Sequence, residues 1–494
     1  MKSFLLPAIV LCFLAGPAPA ADDILTKATK LLEKRHYDEA AAVLRPAIGT
    51  VEQAKQGVAY LTLGTAYLRS AELHRLLNQT AMTVGTDYLK RLSAGSSKFR
   101  SRFVDLYLGE ALLDGGKPEA AASPLEKFIS DERTEPKYRE IAKVMLGGVF
   151  FQSGDKQKAD EIWSGIDASD PEVKTELAAA YSKAGLADRG PVALCDEGLA
   201  ALRKTGKRMP LRAINNGLAV YVKAGLEDKG LDLIKGAELK AASYSERMSR
   251  TKEINFYDMS LLSDLAGLYL QAGIAALEKA SRDPKLKDTA NYYLGEAYAL
   301  SGNIDRSVKA LASFIGNPQM PQQVRDRATV RQAANHYQRG RQLESIGVWD
   351  DISRKQPEAP DLIAEIILAC ARLRVDCPKA VKKAEASVET GQGKKFSSLN
   401  VAIGRYYLSR RDSGRAVSYL EAGRDKGNKN KIEANDPVML VNLAELYYRT
   451  KKFSEALEIY FEMSKSFPEV RQIQEALQGI YSKEQKSAGD VKIN

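Results

Sequence analysis

The phrase KAGLADRG, Lys183 to Gly190, returns forty residues later as KAGLEDKG, Lys223 to Gly230. Each copy follows a tyrosine and one further residue, Tyr181 and Tyr221. A glycine-split phrase recurring at that distance constrains the chain more than any bulk property. It calls for a structure that grows by adding similar units, each unable to bury its apolar face alone.

The clearest unit is YLGEAYALSGNIDRSVKALASFI, in which Gly295, Tyr298, Gly302, Leu311 and Phe314 fall at helical spacings around one turn. The same scheme runs through Gly147, Gly154, Ala159 and Trp163, through Gly404, Tyr407, Ala416 and Leu420, and through Ala444, Tyr447, Ala456 and Tyr460. Gly109, Ala121 and Leu125 add a unit, and Ala28, Tyr37, Ala40 and Leu44 another near the start. Helices approach to about 8–10 Å only where side chains are small. Gly64, Gly109, Gly147, Gly295, Gly404 and Ala444 are therefore expected on first helices where the second helix crosses. Ala159, Ala416 and Ala456 are expected to face them. Gly154, Gly185, Gly225, Gly273 and Gly302 are read as left-handed helix ends, and Asp155 and Ser454 as the residues that start the next helix.

These units resemble the tetratricopeptide repeat, a helix–turn–helix unit of 34 residues. The resemblance is strong in five or six units and degenerate in the rest. It implies an all-α fold, a right-handed superhelical solenoid with a concave groove, built from about eleven or twelve helix pairs. First helices are expected near Ala28, Gly64, Gly109, Gly147, Ala178, Leu218, Ala266, Gly295, Ala334, Leu368, Gly404 and Ala444. The segmentation expected is 1–20 leader, 21–104 N-terminal repeats with an irregular insertion, 105–320 central repeats, 321–395 degenerate repeats, 396–470 C-terminal repeats, 471–485 capping helix with a polar face, and 486–494 tail. Residues 69–103 are too long for one second helix, and 423–436 read as an exposed charged loop. No segment alternates as a β-strand does.

The leader reading rests on Lys2, an apolar run from Phe4 to Ala15 of about a dozen residues, and Ala18-Pro19-Ala20 before a cut. The run is shorter than the roughly 20 apolar residues a membrane span needs. An exported, periplasmic chain beginning at Ala21 is the expectation. Beyond the leader lie Cys195, Cys370 and Cys377. For Cys370 and Cys377, flanking ARLRVD, a disulfide and two small buried hydrophobes both stay open. Cys195 reads as a buried helical residue.

No catalytic or metal-ligating constellation emerges, and no cofactor is expected. His36, His74 and His336 fall in three separate repeats and read as helix-surface residues. GxSxG, HExxH and phosphate-cradling glycine motifs are missing. The charge of +10, from 73 basic and 63 acidic residues, is spread thinly. Without a dense basic block interleaved with aromatics it does not point to nucleic acid.

The resemblance places ligands along the first helices. Arg69, Lys183, Lys223, Asn335, Arg339, Arg405 and Arg449 are candidate groove residues, with Glu296 and Glu445 on the same face. Their cations would form a discontinuous basic track for acidic groups of a partner, set against a scatter of solvated charges. The function expected is a non-catalytic adaptor for proteins of the bacterial cell envelope, in assembly or secretion. The alternative is a periplasmic scaffold for export of an extracellular polysaccharide, for which an acidic glycan is a fitting partner.

Overall fold

The structure is a computed structural model that describes residues 20–94, 103–207, 209–236, 258–356, 359–390, 397–425, 427, 429–432, 434–467, 470, 473–474 and 476–481. The leader, residues 1–19 of it, and the 486–494 tail lie outside the described residues. Every longer element is an α-helix, and no strand occurs among the described residues. The fold is an all-α helical-repeat solenoid. It divides into two compact units, one of residues 1–73 with 272–466, the other of 74–271 with 467–494.

In the second unit the helical hairpins are Val104–Asp114 with Pro118–Ser130, Pro136–Gln152 with Lys156–Ser164, Pro171–Ala184 with Pro191–Lys204, and Leu211–Ala224 with Glu227–Gly236. The first unit holds Ala20–Glu33 with Tyr37–Leu44, then Lys287–Leu300 with Ile304–Ile315 and Gln322–Gln338 with Gln342–Lys355. It continues through Pro360–Leu373 with Pro378–Glu389, Ser397–Ser409 with Ser413–Ala422, and Pro437–Arg449 with Phe453–Met463.

Local chemistry sets the helix ends. Asp155, Asp170, Asn303, Asp412 and Asp436 accept a backbone N–H of the first turn, each such cap stabilising by about 1 kcal/mol. Gly154, Gly185, Gly225 and Gly302 have positive φ, as expected. Where the turn lacks glycine, Arg35, Arg374, Arg411 and Lys451 take the same left-handed conformation, at a cost of about 1–2 kcal/mol each.

One register recurs through the hairpins. Gly109 receives Leu125, Gly147 receives Trp163, Gly217 receives Leu233, Gly295 receives Leu311 and Gly404 receives Leu420, in every case sixteen residues on. A Cβ on Gly295 would stand 2.5 Å from Leu311 Cγ, and one on Gly109 2.5 Å from Leu125 Cγ. The missing side chain is thus the space that the large residue fills. Ala159 and Ala416 are fully buried in the same hairpins, and Ala444 and Ala456 in the Pro437–Arg449 and Phe453–Met463 hairpin. Trp163 Nε1 donates to the Val144 carbonyl at 2.9 Å, and Trp349 Nε1 repeats the contact on Val330 at 3.1 Å.

Several expectations are corrected. Residues Gln56–Ala94 form one unbroken helix of 39 residues, so the first helix and most of the expected insertion are continuous. No second helix of its own crosses Gly64; that face is covered by Leu277 of the Asp258–Ala280 helix. Gly273 is not a turn glycine but an interior residue of this same helix, where its missing side chain lets the two helices touch. Ser454 lies inside the first turn, and Lys452 occupies the cap position without a side-chain bond. His74 is fully buried, edge-on to Tyr269 at 5.3 Å and to Phe467 at 6.3 Å, rather than on a helix surface. In the 423–436 segment Asp425, Lys429, Lys431 and Asp436 are exposed as expected, while Ile432 and Asn435 are buried and Arg424 donates to the Lys429 carbonyl and the Tyr447 hydroxyl. In the capping segment Ile473, Ala476, Leu477 and Ile480 are buried, and Gly479 meets the Tyr88 ring.

The opening phrase also splits in its meaning. Gly185 and Gly225 both end a helix with positive φ. Gly190 then opens the next helix, also with positive φ. Gly230 instead lies within a helix, where a Cβ would meet Leu268 Cδ1 at 2.7 Å.

Candidate interaction surface

In the first unit, a row of charges is assembled by the first helices of successive repeats. Arg69 donates to Glu296 at 3.0 Å and to Glu72 at 3.3 Å. Arg331 bridges Glu296 and Glu365, the latter at 2.6 Å. Its guanidinium also sits 4.8 Å from the Tyr292 ring centre. Burial works against ionisation of Glu72, but Arg69, Arg372 and Arg405 outweigh it and hold the carboxyl below its usual range. Glu365 is likewise held down, burial being outweighed by Arg331, with Arg372 and Arg327 pulling the same way as Arg331.

Arg405 ends this row differently. It lies one residue after Gly404, as Glu296 lies after Gly295 and Glu445 after Ala444. Among the described residues it makes no ion pair, although Glu72, Asp436 and Glu365 act on it from a distance. Burial lowers its proton affinity, and the neighbouring Arg372 adds to that. Its guanidinium is half-buried and uncommitted, the condition under which an incoming carboxylate or other anion gains most.

The second unit carries the opposite balance. Arg212, only 4 % exposed, is bound by Glu110 at 2.8 Å and Glu176 at 2.9 Å. Asn216 also donates to Glu176, at 3.0 Å. Lys183 donates to Asp114 at 3.0 Å and lies within the field of Asp264. Burial pushes Glu110 up to about 7 against the pull of Arg212, with Glu176 and Asp114 adding to the rise. Burial likewise raises Asp264 to about 7, Lys183 opposing and Asp114 reinforcing.

The candidate groove residues are therefore dispersed. Arg69 and Lys183 are committed to acids on neighbouring helices. Arg339 caps its helix and pairs with Asp305, while Arg449 pairs with Glu445 at 2.5 Å on its own helix. Asn335 is buried between repeats, donating at 2.7 Å to Ser307, which itself donates to the Gly295 carbonyl. Among the described residues, Lys223 and Arg405 are the two of these cations with no ion pair, Lys223 being exposed. Sequence spacing placed the cations but not the interleaved acids Asp114, Asp264, Glu72 and Glu365, which follow no repeat signature. No group of three or more His, Cys, Asp or Glu placed to hold a metal occurs among the described residues. No helix among them is long and apolar enough to cross a membrane.

This arrangement of hairpins, sixteen-residue registers and charged first helices defines a helical-repeat protein. Residues 401–469 match the tetratricopeptide repeat family. Among solved structures, yeast Tom70 is similar at 14% identity, covering 95% of this chain and 96% of that one, with a TM-score of 0.31. The P58(IPK) TPR domain is similar at 14% identity, covering 77% of this chain and 98% of that one, with a TM-score of 0.19. No curated protein matches this chain in sequence.

Proposed function

We propose that the protein is a non-catalytic scaffold that holds other proteins on the inner faces of its helical repeats. The observation that carries this reading is Arg405, half-buried on a first helix beside Arg372 and without an ion pair among the described residues. Such a group has already lost part of its hydration, so an acidic side chain or chain terminus of a partner gains a charge-assisted hydrogen bond there at reduced cost. The tetratricopeptide repeat over 401–469 supports the reading, because repeat stacks offer broad surfaces whose side chains set specificity.

The setting we propose is the bacterial envelope, reached by export and removal of the leader after Ala20. Support comes from the leader pattern of the first twenty residues. N-terminal sequencing of the mature chain checks it: a start at Ala21 is expected, and an intact Met1 on a cytoplasmic chain contradicts it.

The scaffold reading is tested by affinity capture from an envelope extract with the wild type and with Arg405→Glu, folding being confirmed by circular dichroism. Specific partners whose recovery falls at least tenfold in the variant are expected. Secretion or outer-membrane assembly proteins among them favour the adaptor. Glycosyl-transfer or polysaccharide-export proteins favour the alternative role in polysaccharide export. Equal recovery by both forms contradicts the assignment of Arg405.

A further inference from the structure

The Gln342–Lys355 helix of the first unit has two faces of opposite character. Ser345, Trp349 and Ile352 are buried, and Trp349 Nε1 donates to the Val330 carbonyl at 3.1 Å, which fixes the side turned to the core. At about 3.6 residues per turn the opposite side carries Leu343, Gly347, Asp350 and Arg354, with Ile346 at its edge. Leu343 is 88 % exposed, the most exposed large apolar side chain among the described residues, and Ile346 is exposed beside it. One turn on, nothing lies within 4 Å of the position a Cβ on Gly347 would take. In the hairpins a helix glycine faces a large side chain that fills it, as Gly295 faces Leu311 and Gly404 faces Leu420. This helix instead presents an unburied leucine and an open glycine, one turn apart on a single face.

We propose that this face binds the same face of a second copy of the chain, in an antiparallel two-fold pair in which Leu343 of each enters the gap at Gly347 of the other. What singles out a second copy is that the face is complementary to itself. A two-fold axis near Ser345 brings residue 343 of one helix opposite residue 347 of the other, so one operation fills both gaps. The same operation sets Arg341, at the start of one helix, beside Asp351 near the end of the other. Arg341 is now paired with Glu344 at 2.7 Å, and Asp351 with Arg354 at 2.8 Å and Lys355 at 2.7 Å. Such short-range surface pairs are weak, so exchanging them for pairs between chains costs little. Asp350, the acid within the seam, is already neutralised by Lys379 at 2.7 Å. Two leucines seated on glycines and two ion pairs make a small interface, so the pair forms and separates with concentration. Each chain offers one leucine and one gap, and both are used, so assembly stops at two.

Sedimentation equilibrium of the full chain, over an about hundredfold range of concentration, tests this. The wild-type mass is expected to rise with concentration from that of one chain towards that of two and to level there. Leu343→Glu brings a charge to the gap and Gly347→Leu fills it. Each is expected to weaken association by about tenfold or more, with an unchanged circular-dichroism spectrum because both positions face solvent. Arg341→Asp and Asp351→Arg should each weaken it, and the two in one chain should restore it, as the antiparallel pairing requires. A wild type that keeps the mass of one chain throughout overturns the proposal and leaves the face to a different partner. Association that Leu343→Glu and Gly347→Leu leave unchanged also overturns it, as does a charge exchange that fails to restore what its two halves remove.

Discussion

Gly273 lies directly against the backbone at Gly64: a Cβ on Gly273 would stand 3.2 Å from the Gly64 carbonyl oxygen and 3.3 Å from Leu68 N. Two helices more than two hundred residues apart in sequence thus meet through glycine on one side and backbone on the other. Backbone yields less than a side-chain tip, so Gly273→Val is expected to cost about 1–3 kcal/mol. Urea unfolding checks this.

Gly347 supplies the contrast. It sits within the Gln342–Lys355 helix, and nothing lies within 4 Å of the position its Cβ would take. Gly347→Ala is therefore expected to stabilise by about 0.5–1 kcal/mol through helix propensity and a less free unfolded chain. A higher urea midpoint at unchanged slope is the outcome to look for.

The two arginines of the charged row respond oppositely. Arg331 is bound by Glu296 and Glu365, and Arg331→Met strands those carboxylates, at an expected cost of about 3 kcal/mol. Arg405 holds no acid among the described residues, and Arg405→Met is expected to lie within about 1 kcal/mol of the wild type. Chemical denaturation of the two variants in parallel separates these outcomes.

Stability is expected to fall on raising the pH from 4 to 8, through Asp264 and Glu110. Burial, with Asp114 adding, lifts Asp264 to about 7 against Lys183, while the unfolded group titrates near 3.9. The folded state thus keeps a proton that the unfolded chain releases. Its contribution is greatest below the unfolded value, declines as pH rises through about 7 and is flat beyond. Asp264→Asn should remove on the order of 2 kcal/mol of that decline, read as a smaller difference between melting temperatures at pH 5 and pH 8. Glu72 and Glu365, held low by their arginines, act in the other sense and lose their contribution only as acid approaches the ordinary carboxylate range and below.

Much of this architecture was legible because it is local. A glycine and the large residue it receives lie in one hairpin, so Gly147 with Trp163 or Gly404 with Leu420 can be read from a single stretch. The turn glycines Gly154 and Gly302 follow from the same stretch. What stayed hidden is non-local or chemically ambiguous. Gly273 against Gly64 pairs helices that no local period connects, so the glycine reads as a turn. Arg374 and Lys451 take a conformation that their side chains do not advertise. The charged surface was half legible: helical spacing put Arg69 and Arg405 among the groove candidates, but Glu72, Glu365, Asp114 and Asp264, which decide what those and their fellow cations can still bind, recur at no fixed interval.

The sixteen-residue register is tested most directly by a double-mutant cycle between Gly295 and Leu311, read by urea unfolding. Gly295→Ala alone is expected to cost about 1–3 kcal/mol by overpacking, and Leu311→Ala alone about 2–5 kcal/mol by leaving a cavity. Together they should cost less than their sum by at least about 1 kcal/mol, because removing Leu311 makes the room that the new methyl needs. Strict additivity, or a Gly295→Ala protein as stable as the wild type, contradicts the packing of large residue into glycine on which the helical hairpins are built.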